Sequence, residues 1–341
     1  MSGGEQTRRR VVLWSLLGLG ALLAAAATLI ALSSTVYSAS AFVQRYFDAI
    51  RNDTVVEALR TPGVSIDTAE LGALGFPETT SSALLRPGLI TAAPSQVTIT
   101  ADEANADGSH TVSVDYQLAG TEHSVSYTVQ PEPAVLGIMP RWRFETSPLQ
   151  LLTVHVQNGS HFDIGSLTLD SRAANGGESS ISNVGYYLAL APAVYTLHYD
   201  SQLAAAEPTT AIVLPGTENS ATVSVLPTQT LVDRVQSKLD DFLAECVKQT
   251  VLQPSGCPFG IAVDDRVLAD PTWSIVQNPV VTLEASEEGF VMPSTPGVVH
   301  LSVPVQSLFD GEKSTLDQNV DYQVGLVVTL RDDGSISIRL R

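Results

Sequence analysis

The apolar residues of this chain repeat first with the period of a helix and then with the period of a strand. Phe42, Tyr46 and Ile50 recur every four residues on one face, which predicts a helix from about Ser38 to Arg60. After a loop rich in glycine and proline, apolar and polar residues alternate, and turn residues separate the alternating runs. The pattern therefore predicts one long helix followed by an antiparallel sheet over residues 38–148.

The same two periods return after a stretch that contains strand patterns alone. Short alternating runs separated by glycine and proline predict a small all-β sandwich over residues 149–227. The segment Thr230–Asp233 has the pattern of a capping box, and an apolar helical stripe follows it. Residues 228–341 are thus predicted to repeat the first plan. The predicted fold class is α+β, with two helix-plus-antiparallel-sheet domains that flank the sandwich.

An uncharged apolar run near the N-terminus predicts a membrane anchor. The run from Val11 to Leu32 holds about 22 residues, enough for a helix to cross the roughly 30 Å of bilayer hydrocarbon. Arg8–Arg10 precede it, and positive residues stay on the cytoplasmic side. We therefore expect a cytoplasmic stub at 1–10, a transmembrane helix at 11–32 and an extracytoplasmic remainder, in a single-pass protein of the cell membrane. A cleavable signal peptide ending near Ala39-Ser40-Ala41 is the alternative.

The charge and the cysteine content limit the possible binding partners of the protein and its cellular compartment. The chain carries 36 acidic and 18 basic residues and a formal net charge of −18, which disfavours nucleic acid as a partner. The alternative is that the acidity only serves solubility. Cys246 and Cys257 are the only cysteines, and an even count in an exported region predicts one disulfide that contributes about 3 kcal/mol. Two buried thiols are the alternative, and the pair lacks the neighbouring histidines of a zinc site.

Motifs for catalysis and metal binding are absent from the sequence. It contains no GxSxG, SxxK, HExxH, P-loop or GxGxxG pattern. His155 and His161 are the closest pair of histidines, but their spacing fits no metal site with a third ligand. The segment Glu103–Gly108 resembles a calcium loop, yet Val114 occupies the position that needs a bidentate glutamate. The sequence therefore predicts no catalytic residue, no cofactor and no metal site.

The segment Ala41–Ile50, followed by Asn52-Asp53, resembles the first helix of NTF2-like (cystatin-like) domains. The resemblance implies a helix that lies across a curved antiparallel sheet, and Thr230–Arg341 looks like a second such domain. An anchor followed by such a domain is similar in plan to assembly components of conjugation and type IV secretion machines. The central strands around Tyr186–Tyr195 resemble PEGA-like surface modules. None of these resemblances carries a functional residue onto this chain.

The function predicted from the sequence is that of a non-enzymatic scaffold or interaction protein. It would be anchored in the membrane within a bacterial cell-envelope assembly, with another envelope protein as its partner. The alternative is a binding module that captures a small apolar ligand or peptide in an NTF2-like cone, which Asp48, Tyr46, Tyr116 and Tyr127 would face. An envelope hydrolase or isomerase that uses the same cone is a more distant alternative. A deep apolar cavity would favour the binding module, and a filled cone with an exposed apolar patch would favour a partner surface.

Overall fold

The computed structural model describes residues 14–21, 24, 35–135, 139–175, 181–331 and 334–341. Its internal contacts divide the chain into two units. Unit 1 takes its described residues from Met1–Thr153, Tyr186–Thr196 and Thr210–Ser220, and unit 2 takes its own from Val154–Gly185, Leu197–Thr209 and Ala221–Arg341.

The structure is mostly β, with 48% of the described residues in strands and 19% in helices. The predicted α+β class, with an N-terminal transmembrane helix and two NTF2-like helix-plus-sheet domains, is therefore wrong. The physical reason is that two amphipathic segments dominate the periodicity of the sequence but contribute little of the folded chain. Strands of up to 18 residues form several sheets and supply most of the buried apolar side chains.

The predicted membrane anchor is not supported. Of the run Val11–Leu32, only residues 14–21 and 24 are described, and residues 14–21 are helical. Among the described residues, no helix combines the length with the apolarity that a membrane crossing demands. This finding corrects the predicted signal anchor and the single-pass cell-membrane location, while the stub at 1–10 lies outside the described residues.

Unit 1 contains the helix that the sequence predicts from about Ser38 to Arg60, divided in two. Helix α1 (Ala39–Arg51) starts after Ser38, whose Oγ accepts a hydrogen bond from the Ala41 amide at 3.1 Å. Helix α2 (Val55–Arg60) follows after a short break. The first strands of the chain are β1 (Ile90–Ala92), β2 (Ser95–Ala104), β3 (His110–Leu118), β4 (Thr121–Val135) and β5 (Met139–Phe144). Helix α1 packs its apolar face on the antiparallel sheet β2-β3-β4-β5.

The described residues of the segment that follows form strands and one short 3-10 turn at Ser171–Ala174. Its strands are β6 (Gln150–Gln157), β7 (His161–Ile164), β8 (Leu167–Asp170), β9 (Asn183–Ala189), β10 (Ala193–Asp200), β11 (Ala204–Val213), β12 (Asn219–Ser224) and β13 (Leu226–Pro227). Within unit 1, β1 pairs with β10 at Ile90 and Tyr195. Within unit 2, β10 pairs with β7 at Leu197 and Ile164, and β7 pairs with β8. The predicted domain boundaries at 148/149 and 227/228 stay predictions.

Helix α3 (Gln229–Cys246) in unit 2 begins earlier than predicted. Its N-cap is Thr228, whose Oγ1 accepts a hydrogen bond from the Leu231 amide at 3.4 Å. The predicted capping box at Thr230–Asp233 is therefore wrong. The side chains that the helix buries lie on one face: Leu231, Val235, Leu239, Leu243 and Cys246.

The rest of unit 2 is built around one long β-hairpin. Its strands are β14 (Arg266–Val267), β15 (Thr272–Gln277), β16 (Glu284–Ser286), β17 (Gly289–Gln306), β18 (Lys313–Leu330) and β19 (Ile336–Leu340). Strands β17 and β18 pair antiparallel from Phe290 and Val328 at one end to Gln306 and Lys313 at the other. Strands β14, β15 and β16 pair with the second edge of β17, and β19 pairs with β18. The hairpin thus separates a tip, residues 307–312, from an opposite end at Phe290.

Candidate functional site

The tyrosines of the predicted cone are packed in the aromatic core of unit 1. The ring centroids of Tyr46 and Tyr127 lie 6.4 Å apart. Burial raises the pKa of both tyrosines well above its ordinary value and raises that of Tyr116 to about 12. Asp48 instead forms an ion pair with Arg51 at 2.7 Å, with 37% of its side chain exposed. The structure therefore does not bring these four side chains together as one site.

The other positions that the sequence analysis discussed are dispersed. His155 is exposed on β6, and His161 is half-buried at the start of β7. Glu103–Gly108 covers the end of β2 and the turn into β3. Within the described ranges, no three His, Cys, Asp or Glu side chains are grouped so that they could hold a metal ion.

Cys246 and Cys257 form a disulfide in the structure, with an S–S distance of 2.06 Å, which is compatible with the predicted pairing. The bond joins the last residue of α3 to a turn that lies 11 residues later. Inside the enclosed loop, the carbonyl of Val251 accepts a hydrogen bond from Trp273 Nε1 at 2.9 Å. These contacts give the two cysteines a structural role, since they fix the end of α3 near β15.

Unit 2 contains a cleft of about 890 Å³, within the range of ligand pockets. Gly289 at the start of β17 has a φ of +116°, and a Cβ there would lie 2.7 Å from the carbonyl oxygen of Val328. A larger residue would therefore push the two strands apart beside the cleft. Four apolar side chains of the lining are already buried by the core packing: Leu203, Val225, Phe290 and Val328. Three others remain partly exposed in the lining: Ile181, Tyr199 and Leu330.

The charged residues in the described lining of this cleft are all arginines. Arg172, Arg234, Arg331 and His161 line it, and no aspartate or glutamate is among the described lining residues. The whole chain has 36 acidic residues against 18 lysines and arginines, so this lining reverses the charge of the protein locally.

Arg172 is held in place by Asp170, which precedes the 3-10 turn. The Asp170 carboxylate accepts hydrogen bonds from Arg172 Nε at 2.9 Å and from Nη2 at 2.7 Å. This contact is the main reason that the pKa of Asp170 lies below its ordinary value. The Arg172 side chain is 17% exposed. Asp170 therefore neutralises Arg172 and fixes its guanidinium group in the wall of the cleft.

Arg234 and Arg331 present exposed side chains at the cleft. Arg234 lies in the second turn of α3, and Arg331 follows β18, where its amide donates a hydrogen bond to the Ser335 carbonyl at 2.9 Å. In the part of the chain that the structure describes, neither guanidinium group has a hydrogen-bond or ion-pair partner. Each group offers five donors in a planar fork that matches a carboxylate. Both arginines are therefore available to an anionic ligand.

Ser160, His161 and Asp170 have the residue types of a hydrolytic triad but not its geometry. Ser160 Oγ lies 2.9 Å from His161 Nδ1, whereas His161 Nε2 lies 3.9 Å from the Asp170 carboxylate, beyond hydrogen-bond distance. A nucleophile of this kind needs a base that a third group orients through a hydrogen bond. Because Asp170 bonds to Arg172 instead, the arrangement fits ligand binding better than catalysis.

The sequence analysis missed this cleft because its arginines belong to no motif and are far apart along the chain. The available signal is the scarcity of positive charge, since the chain has 18 lysines and arginines in 341 residues. Each basic residue outside the N-terminal Arg8–Arg10 run is thus a candidate for a specific contact. Strand pairing in the folded chain is needed to show which of them share one surface.

Comparison with known proteins identifies no family for this chain. No protein-family model matches it, and no curated protein matches it significantly. The resemblance of the central strands to PEGA-like modules therefore stays a prediction, and the function is argued from the geometry of the cleft.

Proposed function

We propose that this chain is a non-enzymatic interaction protein whose cleft in unit 2 binds a protein segment with both carboxylate and apolar side chains. The observation that carries the proposal is the lining of the cleft, which combines the exposed side chains of Arg234 and Arg331 with apolar residues that are partly exposed and has no carboxylate among its described residues. Arginine forks bind carboxylates through paired hydrogen bonds, and covering the partly exposed apolar residues of the lining removes apolar area from water. The arginines and the apolar residues of the lining together favour a segment that carries both carboxylate and apolar side chains.

A short protein segment fits this site better than an extended polyanion. The net charge of −18 opposes the approach of a nucleic acid, whose phosphates would extend beyond the cleft over an acidic surface. A segment with two or three carboxylates places its charge only at the arginines. Its apolar side chains also pack on the partly exposed apolar residues of the lining, Ile181, Tyr199 and Leu330, which a polyanion leaves uncovered.

The test measures binding of a fluorescently labelled peptide, in which Glu alternates with Leu and Phe, to the full chain by fluorescence anisotropy. The double variant Arg234→Glu/Arg331→Glu reverses both exposed charges, and we expect its affinity to fall at least about tenfold. Lys238→Glu is the matched control, because Lys238 is exposed on the same helix and does not line the cleft.

A second peptide with Lys in place of Glu checks the sign of the charge. We expect it to bind far more weakly, and we expect binding of the acidic peptide to weaken as salt is added, since salt screens exposed charges. Equal binding of the two peptides would contradict the proposal. So would a loss of affinity in Lys238→Glu as large as the loss in the double variant.

A further inference from the structure

The tip of the β17–β18 hairpin displays two large apolar side chains. Leu308 is 72% exposed and Phe309 is 98% exposed. Single exposed apolar residues are common, but here an aromatic ring stands almost wholly in water beside a second large apolar side chain. Contact with another protein would remove this apolar area from water, which favours association.

Hydrogen bonds hold the backbone of this tip in one conformation. The Ser307 amide donates to the Glu312 carbonyl at 2.9 Å, and the Gly311 amide donates to the Ser307 carbonyl at 3.0 Å. The Asp310 carboxylate accepts a hydrogen bond from the Glu312 amide at 3.1 Å, which holds the pKa of Asp310 below its usual range. A tip that is ordered before binding loses little conformational entropy in a complex.

Carboxylates surround the apolar side chains of the tip. Asp310 and Glu312 belong to it, and Asp265 accepts a hydrogen bond from the Leu308 amide at 3.3 Å. The charged residues of 264–266 and 310–313 comprise four acidic and two basic ones. The tip is therefore an acidic protein segment with exposed apolar side chains, which is the chemistry that the lining of the cleft favours.

A tip cannot reach the cleft of its own chain, because both lie at opposite ends of one hairpin. Phe290 lines the cleft, and Gln306 directly precedes the tip. Between these residues β17 runs as a continuous strand, and at about 3.3 Å per residue it extends for about 50 Å. A hairpin tip that occupies the cleft must therefore come from another molecule.

We propose that the cleft of one copy of this chain binds the hairpin tip of a second copy, so that the copies associate head to tail. This inference rests on the proposed function, because it identifies the segment that the cleft binds. Leu308 and Phe309 would cover the partly exposed apolar residues of the lining, and the Asp310 and Glu312 carboxylates would meet Arg234 and Arg331. Contact between two different surfaces leaves one tip and one cleft free in every dimer, so association continues into longer chains.

The total charge of the chain does not prevent this contact at physiological ionic strength. Charges on exposed surfaces are screened beyond a Debye length of about 8 Å, so the groups at the contact outweigh distant carboxylates. Association should therefore weaken at high salt, because salt screens the attraction between the tip carboxylates and the cleft arginines. It should also weaken at very low salt, because the net charge of −18 then acts between whole molecules.

The experiment measures self-association of the full chain by analytical ultracentrifugation. The tip variant Leu308→Ser/Phe309→Ser and the cleft variant Arg234→Glu/Arg331→Glu should each weaken self-association at least about tenfold. Val280→Ser is the matched control for the tip, because Val280 is 69% exposed and lies in neither the tip nor the cleft. Because Leu308 and Phe309 are exposed, the thermal unfolding midpoint of the tip variant should equal that of the wild-type chain.

Mixing the two variants gives the decisive result. The cleft variant keeps an intact tip and the tip variant keeps an intact cleft, so together they should form one-to-one complexes that neither forms alone. Failure of the mixture to pair, or self-association that is equal in all variants, would overturn the inference. If the acidic probe peptide binds the cleft while the wild-type chain stays monomeric, the proposed function stands and only this inference fails. If neither the peptide nor the tip binds, both fail.

Discussion

Tyr46 and Ala191 are joined by a buried hydrogen bond, although 145 residues separate them: the tyrosine hydroxyl donates to the Ala191 carbonyl at 2.7 Å. Tyr127 belongs to the same aromatic cluster of unit 1, with its ring centroid 6.4 Å from that of Tyr46. Its hydroxyl is also buried but has no hydrogen-bond partner among the described residues. The two side chains therefore share one environment and differ in whether their hydroxyl is paired.

This difference predicts opposite consequences for the same substitution. Tyr46→Phe leaves the Ala191 carbonyl buried and unpaired, so we expect it to lower the free energy of unfolding by about 1–3 kcal/mol. Tyr127→Phe removes an unpaired buried hydroxyl, so we expect no loss of stability or a small gain. Urea unfolding of both variants checks the prediction. Equal destabilisation would show that ring packing, rather than hydroxyl pairing, decides the effect.

The sequence predicts best those features that depend on neighbouring residues. The start of α1 at Ser38 depends on a local cap and a four-residue period, and prediction and structure agree there. The start of α3 shows the limit of this approach, because Thr228 and Thr230 are both plausible caps. Thr228 also donates a hydrogen bond to the Gln202 carbonyl at 2.6 Å, a contact 26 residues away that no local pattern contains.

The cleft and the fold class depend on long-range pairing and could not be predicted in this way. Arg172, Arg234 and Arg331 share one surface only after the strands and α3 of unit 2 have assembled. The net charge of −18 describes the average surface and conceals this local reversal. The helix-led pattern likewise suggested an NTF2-like plan, because periodicity does not reveal how many strands the intervening segments form.

The buried tyrosines predict a loss of stability at alkaline pH. Burial raises the pKa of Tyr46, Tyr127 and Tyr195 well above the ordinary value of about 10, and that of Tyr116 and Tyr322 to about 12. The contribution of these tyrosines to the free energy of unfolding is fully present below the pKa that tyrosine has in the unfolded chain. Above it the unfolded chain releases protons that the folded chain retains, so the free energy of unfolding should fall from about pH 10 upward.

Unfolding in urea at a series of pH values, together with a spectrophotometric titration of the tyrosines, checks this expectation. The variant Tyr116→Phe should reduce the alkaline slope of the stability curve, because one group with a raised pKa is then absent. Titration of the buried tyrosines in the folded chain near the ordinary pKa of about 10, with no loss of stability above that pH, would contradict the assigned burial.

Gly297 and Tyr322 predict a steric effect in the long hairpin. They are paired across β17 and β18, and a Cβ on Gly297 would lie 2.3 Å from Cζ of the Tyr322 ring. Gly297→Ala should therefore cost about 1–3 kcal/mol, because the buried ring must move. Gly72→Ala is the control, since nothing lies within 4 Å of a Cβ at that position. Thermal unfolding compares the two, and equal midpoints would show that the ring moves freely.

The disulfide predicts that reduction weakens unit 2. Cys246 is 3% exposed and lies 11 residues from Cys257, a loop whose closure stabilises the folded state by about 3 kcal/mol in the loop-entropy model. Reductant should therefore lower the denaturation midpoint of the wild-type chain. The double variant Cys246→Ser/Cys257→Ser should start at the lower midpoint and not respond to reductant, which separates loss of the bond from other effects of the reagent. A wild-type midpoint that reductant leaves unchanged would mean that the helix end and the Trp273–Val251 contact hold this loop without the bond.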